Sequence, residues 1–184
     1  MRNLVILLAL VASTSCAPLP VVIPEAPFDH AKAVVFDIDG TLTPTPLKYW
    51  KARDDAANAV QLFSKEGYEI IYLSARITLL QRDIPGWLKE NSFPDGRIYV
   101  TQTAEDRRDH AKFKARILRD IIAHGWVIGY AYGDSSTDFE AYAEVGIPRQ
   151  HVFALRREGD ADCQPGVWNA CLSGWTEYLD SVVK

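Results

Sequence analysis

An apolar run that ends in two alternating acids constrains this chain most: Val34-Val35-Phe36-Asp37-Ile38-Asp39-Gly40-Thr41-Leu42-Thr43. Its β-branched start reads as a buried strand. Residues two apart on an extended strand project to the same side, so Asp37 and Asp39 would set two carboxylates close together. Like charges placed so repel unless something neutralises them. A divalent cation is the simplest neutraliser, and Mg²⁺ suits all-oxygen chemistry. One carboxylate can then act as nucleophile and the other as general acid and base. The plainer reading of D-x-D-G is a calcium loop or a polar turn. Calcium loops, however, place more oxygen ligands after the glycine and lack a preceding apolar strand.

Further strand-like runs follow at Ile70–Leu73, Ile98–Thr101, Val127–Tyr132 and Val152–Leu155, after the first at Ala33–Phe36. Segments of helical period lie between them. Asp54–Glu66 sets Ala56, Val60 and Phe63 on one face and stops at Gly67, while Phe113–Ala123 and Phe139–Val145 show similar stripes. Leu79–Asn91 reads as a helix with an awkward Pro85-Gly86 inside it. Strands alternating with helices predict a three-layer α/β domain on a mostly parallel, five-stranded sheet. Ligands of such sheets sit at the carboxyl ends of the strands, where the aspartate motif lies.

Asp37-Ile38-Asp39-Gly40-Thr41 resembles the first motif of the haloacid dehalogenase-like (HAD) phosphatases. That resemblance implies Asp37 as nucleophile and Asp39 as acid and base. It also implies Mg²⁺ held by Asp37, the backbone carbonyl of Asp39, Asp134 and, through water or by orienting a ligand, Asp138. Asp134 and Asp138 stand in Gly133-Asp134-Ser135-Ser136-Thr137-Asp138, which is similar to the family's G-D-x-x-x-D metal motif. Asp138 could equally cap the following helix. Ser74 ends the second candidate strand as the second motif's hydroxyl does, and with Thr41 it is expected on the substrate phosphate. The family's lysine comes from the helix before the metal strand, which leaves Lys112 and Lys114.

A narrower resemblance favours Lys114. Leu73-Ser74-Ala75-Arg76, Gly86-Trp87-Leu88, Pro94-Asp95-Gly96, Phe113-Lys114 and Asp138-Phe139-Glu140-Ala141-Tyr142 look like the catalytic region of lipins, which are Mg²⁺-dependent phosphatidate phosphatases. That region is shared with some phosphatidylinositol-transfer proteins. The chain departs at Asp134-Ser135, where lipins typically have Asn-Arg. The spacings between motifs leave no room for a large cap domain. An open site suits a phosphate whose bulk stays outside, such as a phospholipid headgroup, with Arg76, Pro44, Pro46 and Trp50 as rim candidates. The alternatives are a broad-specificity acid phosphatase for soluble esters and a non-catalytic phospholipid-binding module.

Met1-Arg2-Asn3, an apolar run from Leu4 to Ala12 and small residues to Ser15 have the layout of a secretory signal peptide. Cys16 follows at once, and the segment resembles a bacterial lipoprotein signal. Residues 1–15 are therefore expected as signal, 16–29 as a Pro-rich tether or an arm packed on the surface, and 30–184 as the phosphatase domain. The expected location is the bacterial cell envelope, in the periplasm, on the membrane through a lipid on Cys16. Cys163 and Cys171 are expected to pair, as two cysteines of an exported protein commonly do. The formal charge of -4 gives no electrostatic case for nucleic-acid binding.

Overall fold

The computed structural model describes residues 17–29 and 31–182. The expected signal segment and Cys16 lie outside the described residues. Six strands form one sheet: β1 Lys32–Asp37, β2 Glu69–Ser74, β3 Arg97–Val100, β4 Val127–Gly133, β5 Val152–Leu155 and β6 Ala170–Leu172. Their order is β3-β2-β1-β4-β5-β6, and every neighbouring pair is parallel. The expectation of five strands is corrected to six. β6 covers only three residues, Ala-Cys-Leu, too short to show a period.

Seven helices accompany the described strands: α1 Ala56–Lys65, α2 Thr78–Gln81, α3 Ile84–Glu90, α4 Ala104–Arg108, α5 His110–Ala123, α6 Ser136–Glu144 and α7 Trp175–Val182. The helix expected over Leu79–Asn91 is split into α2 and α3, with Pro85 in the first turn of α3. Proline lacks the N–H that a helix interior needs but is tolerated at a helix start.

The period of β1 separates two cores. Val34 and Phe36 face α1, α3 and α7 through Val60, Phe63, Trp87 and Trp175. Ala33 and Val35 face α5 and α6 through Phe113, Ile117, Phe139 and Tyr142. Asp37 shares the parity of Ala33 and Val35, so its side chain falls on the α5/α6 side. Chain order reverses between β1 and β4, and such a switch point opens a crevice at the carboxyl ends of the strands.

Residues 17–29 form an arm packed on the domain. Leu19 contacts the first core, while Val21, Ile23 and Ala26 contact the second. Cys163 and Cys171 are disulfide-bonded, which ties the loop after β5 to β6. Among the described residues no helix is long and apolar enough to cross a membrane.

Candidate active site

β1 delivers Asp37 to the floor of a cleft of 400 Å³ at the switch point, and β4 delivers Asp134 beside it. Asp39, Arg76, His110, Lys114, Ser135, Thr137 and Arg157 complete its polar wall. Just past β1 the chain turns sharply: Ile38 O accepts from both Leu42 N–H (2.9 Å) and Thr43 N–H (3.0 Å). Gly40 sits in that turn at φ +93°, and a Cβ there would collide with the Asp134 carboxylate. Only glycine meets both demands.

Lys114, on α5, is buried with its Nζ 2.6 Å from Asp37 Oδ1 and in contact with Asp138 Oδ1. Burial disfavours its ammonium, but Asp138 and Asp37 outweigh that and push its pKa up, so it stays charged. Lys112 points away, 78% exposed and paired with Asp109. Of the two candidate lysines, Lys114 is the one the fold brings to Asp37 and Asp138.

Asp138 does cap the following helix, and it also meets Lys114. Its Oδ2 accepts from the N–H groups of Asp134 (3.1 Å) and Ser135 (3.0 Å), capping α6, while Oδ1 takes Lys114. Asp37 Oδ2 is buried and has no hydrogen-bond partner. Burial drives the Asp37 pKa well above the ordinary carboxylate value, Lys114 opposes that rise, and Asp138, Asp134 and Asp39 add to it. Burial together with Asp138 raises Asp134 to about 6, against the pull of Arg157 and Lys114.

Asp37, Asp134 and Asp138 each offer one carboxylate oxygen, all within 4.8 Å of one another. Three clustered hard oxygen donors, on residues that include Asp37 with its partnerless Oδ2, could hold a hard divalent cation. The side chain of Asp39 stands outside that trio. Arg76 Nε reaches both its oxygens at 2.9 Å, Arg76 Nη2 lies 2.8 Å from Oδ1, and Ser74 Oγ donates to Oδ2 at 3.0 Å.

Two hydroxyls expected on the substrate phosphate are turned to other partners. Ser74 is directed at Asp39, and fully buried Thr41 donates to Asp134 Oδ1 at 3.5 Å. Arg76, expected on the rim, is buried under Tyr49 and Trp87, whose rings lie 5.6 and 5.8 Å from its guanidinium. Pro44 is buried as well, whereas Pro46 lines the cleft and Trp50 is exposed.

Sequence reasoning missed two arginines. Arg157, just past β5, contacts Asp134 Oδ2 through Nε. Arg53 donates to the carbonyls of Gly40 (2.7 Å), Thr43 (3.0 Å) and Arg156 (2.7 Å), stapling the motif turn to the exit of β5. The position of Arg156-Arg157 at a strand's carboxyl end, where α/β sheets bind ligands, was the available signal for Arg157. Nothing local marked Arg53.

A family model described as "PITM 1-3, LNS2 domain" matches residues 34–156, about two thirds of the chain. The membrane-associated phosphatidylinositol transfer protein 3 of Homo sapiens is 28% identical over 130 residues, 68% of this chain and 13% of the relative. Phosphatidate phosphatase LPIN3 of Homo sapiens is 27% identical over 155 residues, 70% of this chain and 18% of the relative. The chain thus spans less than a fifth of the length of either. Among solved structures, D,D-heptose 1,7-bisphosphate phosphatase from B. bronchiseptica, complexed with magnesium and phosphate, aligns with a TM-score of 0.57 at 15% identity. That alignment covers 83% of this chain and 98% of the other, and it shows a shared HAD-like fold.

Proposed function

The chain belongs to the LNS2 domain family, and on that premise we propose that it is a Mg²⁺-dependent phosphomonoesterase acting through an aspartyl-phosphate, with phosphatidate-like lipid phosphate as its substrate. The observation that carries this reading is Asp37: a carboxylate lining the cleft, with one oxygen anchored by Lys114 and the other partnerless. Asp37 attacks phosphorus, the new O–P bond forms, and the ester P–O bond breaks. Asp39, held by Arg76 and Ser74, gives its proton to the leaving oxygen. It then takes a proton from water, which attacks phosphorus and frees Asp37 and inorganic phosphate. Lys114 favours the ionised form of Asp37 and aims it. Asp37, Asp134 and Asp138 would hold Mg²⁺, which when bound neutralises charge on nucleophile and phosphate.

The names of two relatives refer to phosphatidate and to phosphatidylinositol, which supports the lipid class. The cleft is roofed by no inserted domain among the described residues. We further infer that the chain is exported and anchored through Cys16. The order of basic start, apolar run, small residues and cysteine supports that, and the Cys163–Cys171 bridge suits an oxidising compartment.

The test is phosphate release from phosphatidate vesicles and from soluble esters, with Mg²⁺ or with EDTA. Release from vesicles that stops in EDTA and in Asp37→Asn is the expected result. Release from soluble esters alone would replace the lipid substrate with a soluble one. Vesicle binding without release from any substrate would make the chain a lipid-binding module.

A further inference from the structure

Nine large apolar side chains stand exposed among the described residues. Four of them, Leu47 (84%), Trp50 (63%), Ile77 (53%) and Leu79 (68%), come from just two connections, those that leave β1 and β2 at the carboxyl edge of the sheet. The two connections are joined, because Arg76 Nη2 donates to Tyr49 O at 3.0 Å and Trp87 Nε1 to Trp50 O at 2.9 Å. Pro46, Tyr49, Ile77 and Leu80 of the same connections line the cleft. The apolar rim is therefore continuous with the cleft that holds Asp37. Scattered exposed apolar residues need no explanation, whereas a cluster beside a site marks an interaction surface.

Charge on the exposed stretches of these connections that carry the apolar cluster is basic, with Asp54 and Asp83 standing just beyond them. No acidic residue occurs between Pro44 and Arg53 or between Ala75 and Arg82, and exposed Lys51 and Arg82 stand among their basic residues. Lys48 is paired with Glu158, and Arg53 and Arg76 turn inward.

The arm gives an independent bearing. Leu19 O accepts from Gln102 Nε2 at 2.9 Å, and Gln102 lies just past the carboxyl end of β3. Farther on, Pro24 O accepts from Trp126 Nε1 (2.9 Å) and Ala26 N–H donates to His124 O (2.8 Å), both just before the start of β4. The arm thus runs against the strands, and its N-terminal end lies at the catalytic edge. Three residues of extended chain span at most about 11 Å, so an anchor on Cys16 would hold that same edge to the bilayer.

We propose that the carboxyl edge of the sheet is a membrane-docking surface. Leu47, Trp50, Ile77 and Leu79 enter the interface of a bilayer containing anionic phospholipid, Lys51 and Arg82 meet its headgroups, and the cleft opens onto lipid phosphate. Apolar side chains with an interfacial tryptophan and flanking cations are the chemistry that such an interface binds. The proposal rests on the phosphatase reading only for the identity of the phosphate, so the two are tested separately.

The full chain is mixed with vesicles of phosphatidylcholine and phosphatidylglycerol carrying brominated acyl chains, and tryptophan quenching is measured. Quenching is expected in the wild type, should be largely lost in Trp50→Phe, and should gain nothing from Val127→Trp at the opposite edge. Quenching that is unchanged in Trp50→Phe, or strong new quenching in Val127→Trp, overturns the orientation. On vesicle-borne phosphatidate, Leu47→Ser/Leu79→Ser should lose about tenfold in rate while hydrolysis of p-nitrophenyl phosphate stays within about twofold. Equal losses on both substrates overturn docking by these residues. Absence of all hydrolysis in the wild type would sink the phosphatase reading, and the quenching result would still decide the orientation.

Discussion

Lys114→Met is the sharpest test of the buried charge cluster. Methionine keeps the length of the aliphatic stem and removes only the ammonium. That ammonium contacts Asp37 and Asp138, and all three side chains are at most 4% exposed. At an effective dielectric of 20, each pair attracts by about 4 kcal/mol at 4 Å charge separation, so the two give ~8 kcal/mol gross. Losing the lysine also removes its own desolvation cost of several kcal/mol, which leaves a net deficit of about 3–5 kcal/mol. The deficit should depend on pH. In the wild type the lysine pKa is raised, so its contribution is fully present below about pH 10.4 and is lost only as pH climbs through the folded value. In the variant the Asp37 pKa, already raised by burial, loses the opposition of Lys114 and rises further. The folded variant then binds more protons than its unfolded chain, so its stability increases as pH falls. Urea unfolding in EDTA, followed by tryptophan fluorescence, should show the full deficit near about pH 8 and a smaller one near about pH 5.5. A deficit under about 1 kcal/mol, or one indifferent to pH, would refute the reasoning.

Three further substitutions probe the surroundings. Gly40→Ala forces a Cβ into the Asp134 carboxylate at positive φ, so turnover should fall by about a hundredfold or more with a loss of at least ~1 kcal/mol in stability; a fully active, equally stable variant contradicts the crowding. Arg76→Lys keeps a charge but not the paired contacts to Asp39, and hydrolysis of a soluble ester should drop by about tenfold or more; wild-type rates would show that the clamp is dispensable. Cys163→Ser/Cys171→Ser opens a loop with seven residues between the cysteines. Chain entropy puts the cost at about 2.5 kcal/mol, measured by urea midpoint, with turnover unaffected below the transition.

The parts of this molecule that were legible in its sequence are those governed by local period. The strand ending at Asp37 and the alternation along it follow from backbone rules that act within a few residues. Lys114 was singled out by the resemblance carried by Phe113-Lys114, and its place in α5, four residues from Leu118 and three from Ile117, puts it on the buried stripe. What escaped was set by distance along the chain. Arg53 meets the carbonyl of Arg156, and Arg157 meets Asp134, through contacts that exist only once β5 has docked beside β4. Ser74 and Thr41 were expected on the substrate phosphate, but a hydroxyl takes whichever acceptor the fold brings near, here Asp39 and Asp134. β6 owes its pairing to the neighbouring strand, and the disulfide holds it close to β5. Its own three residues carry no pattern.

The local rules broken here are concentrated at one edge of the sheet. Of three buried side-chain atoms without a hydrogen bond among the described residues, Gln81 Oε1 belongs to an amide held by its other end on Arg76 O and Thr101, and Arg97 Nε lies 2.8 Å from a Glu69 oxygen. Only Asp37 Oδ2 belongs to a carboxylate on the floor of a cleft. The same few residues include a buried lysine and a glycine pressed against Asp134 at positive φ. Each departure weakens the isolated fold, and an arrangement selected for stability alone would replace the cluster with apolar packing. Together they set a buried carboxylate oxygen without a hydrogen-bond partner beside a cleft of about 400 Å³. That oxygen costs stability because it lacks a partner, and in the proposed mechanism the same lack leaves it available to phosphorus.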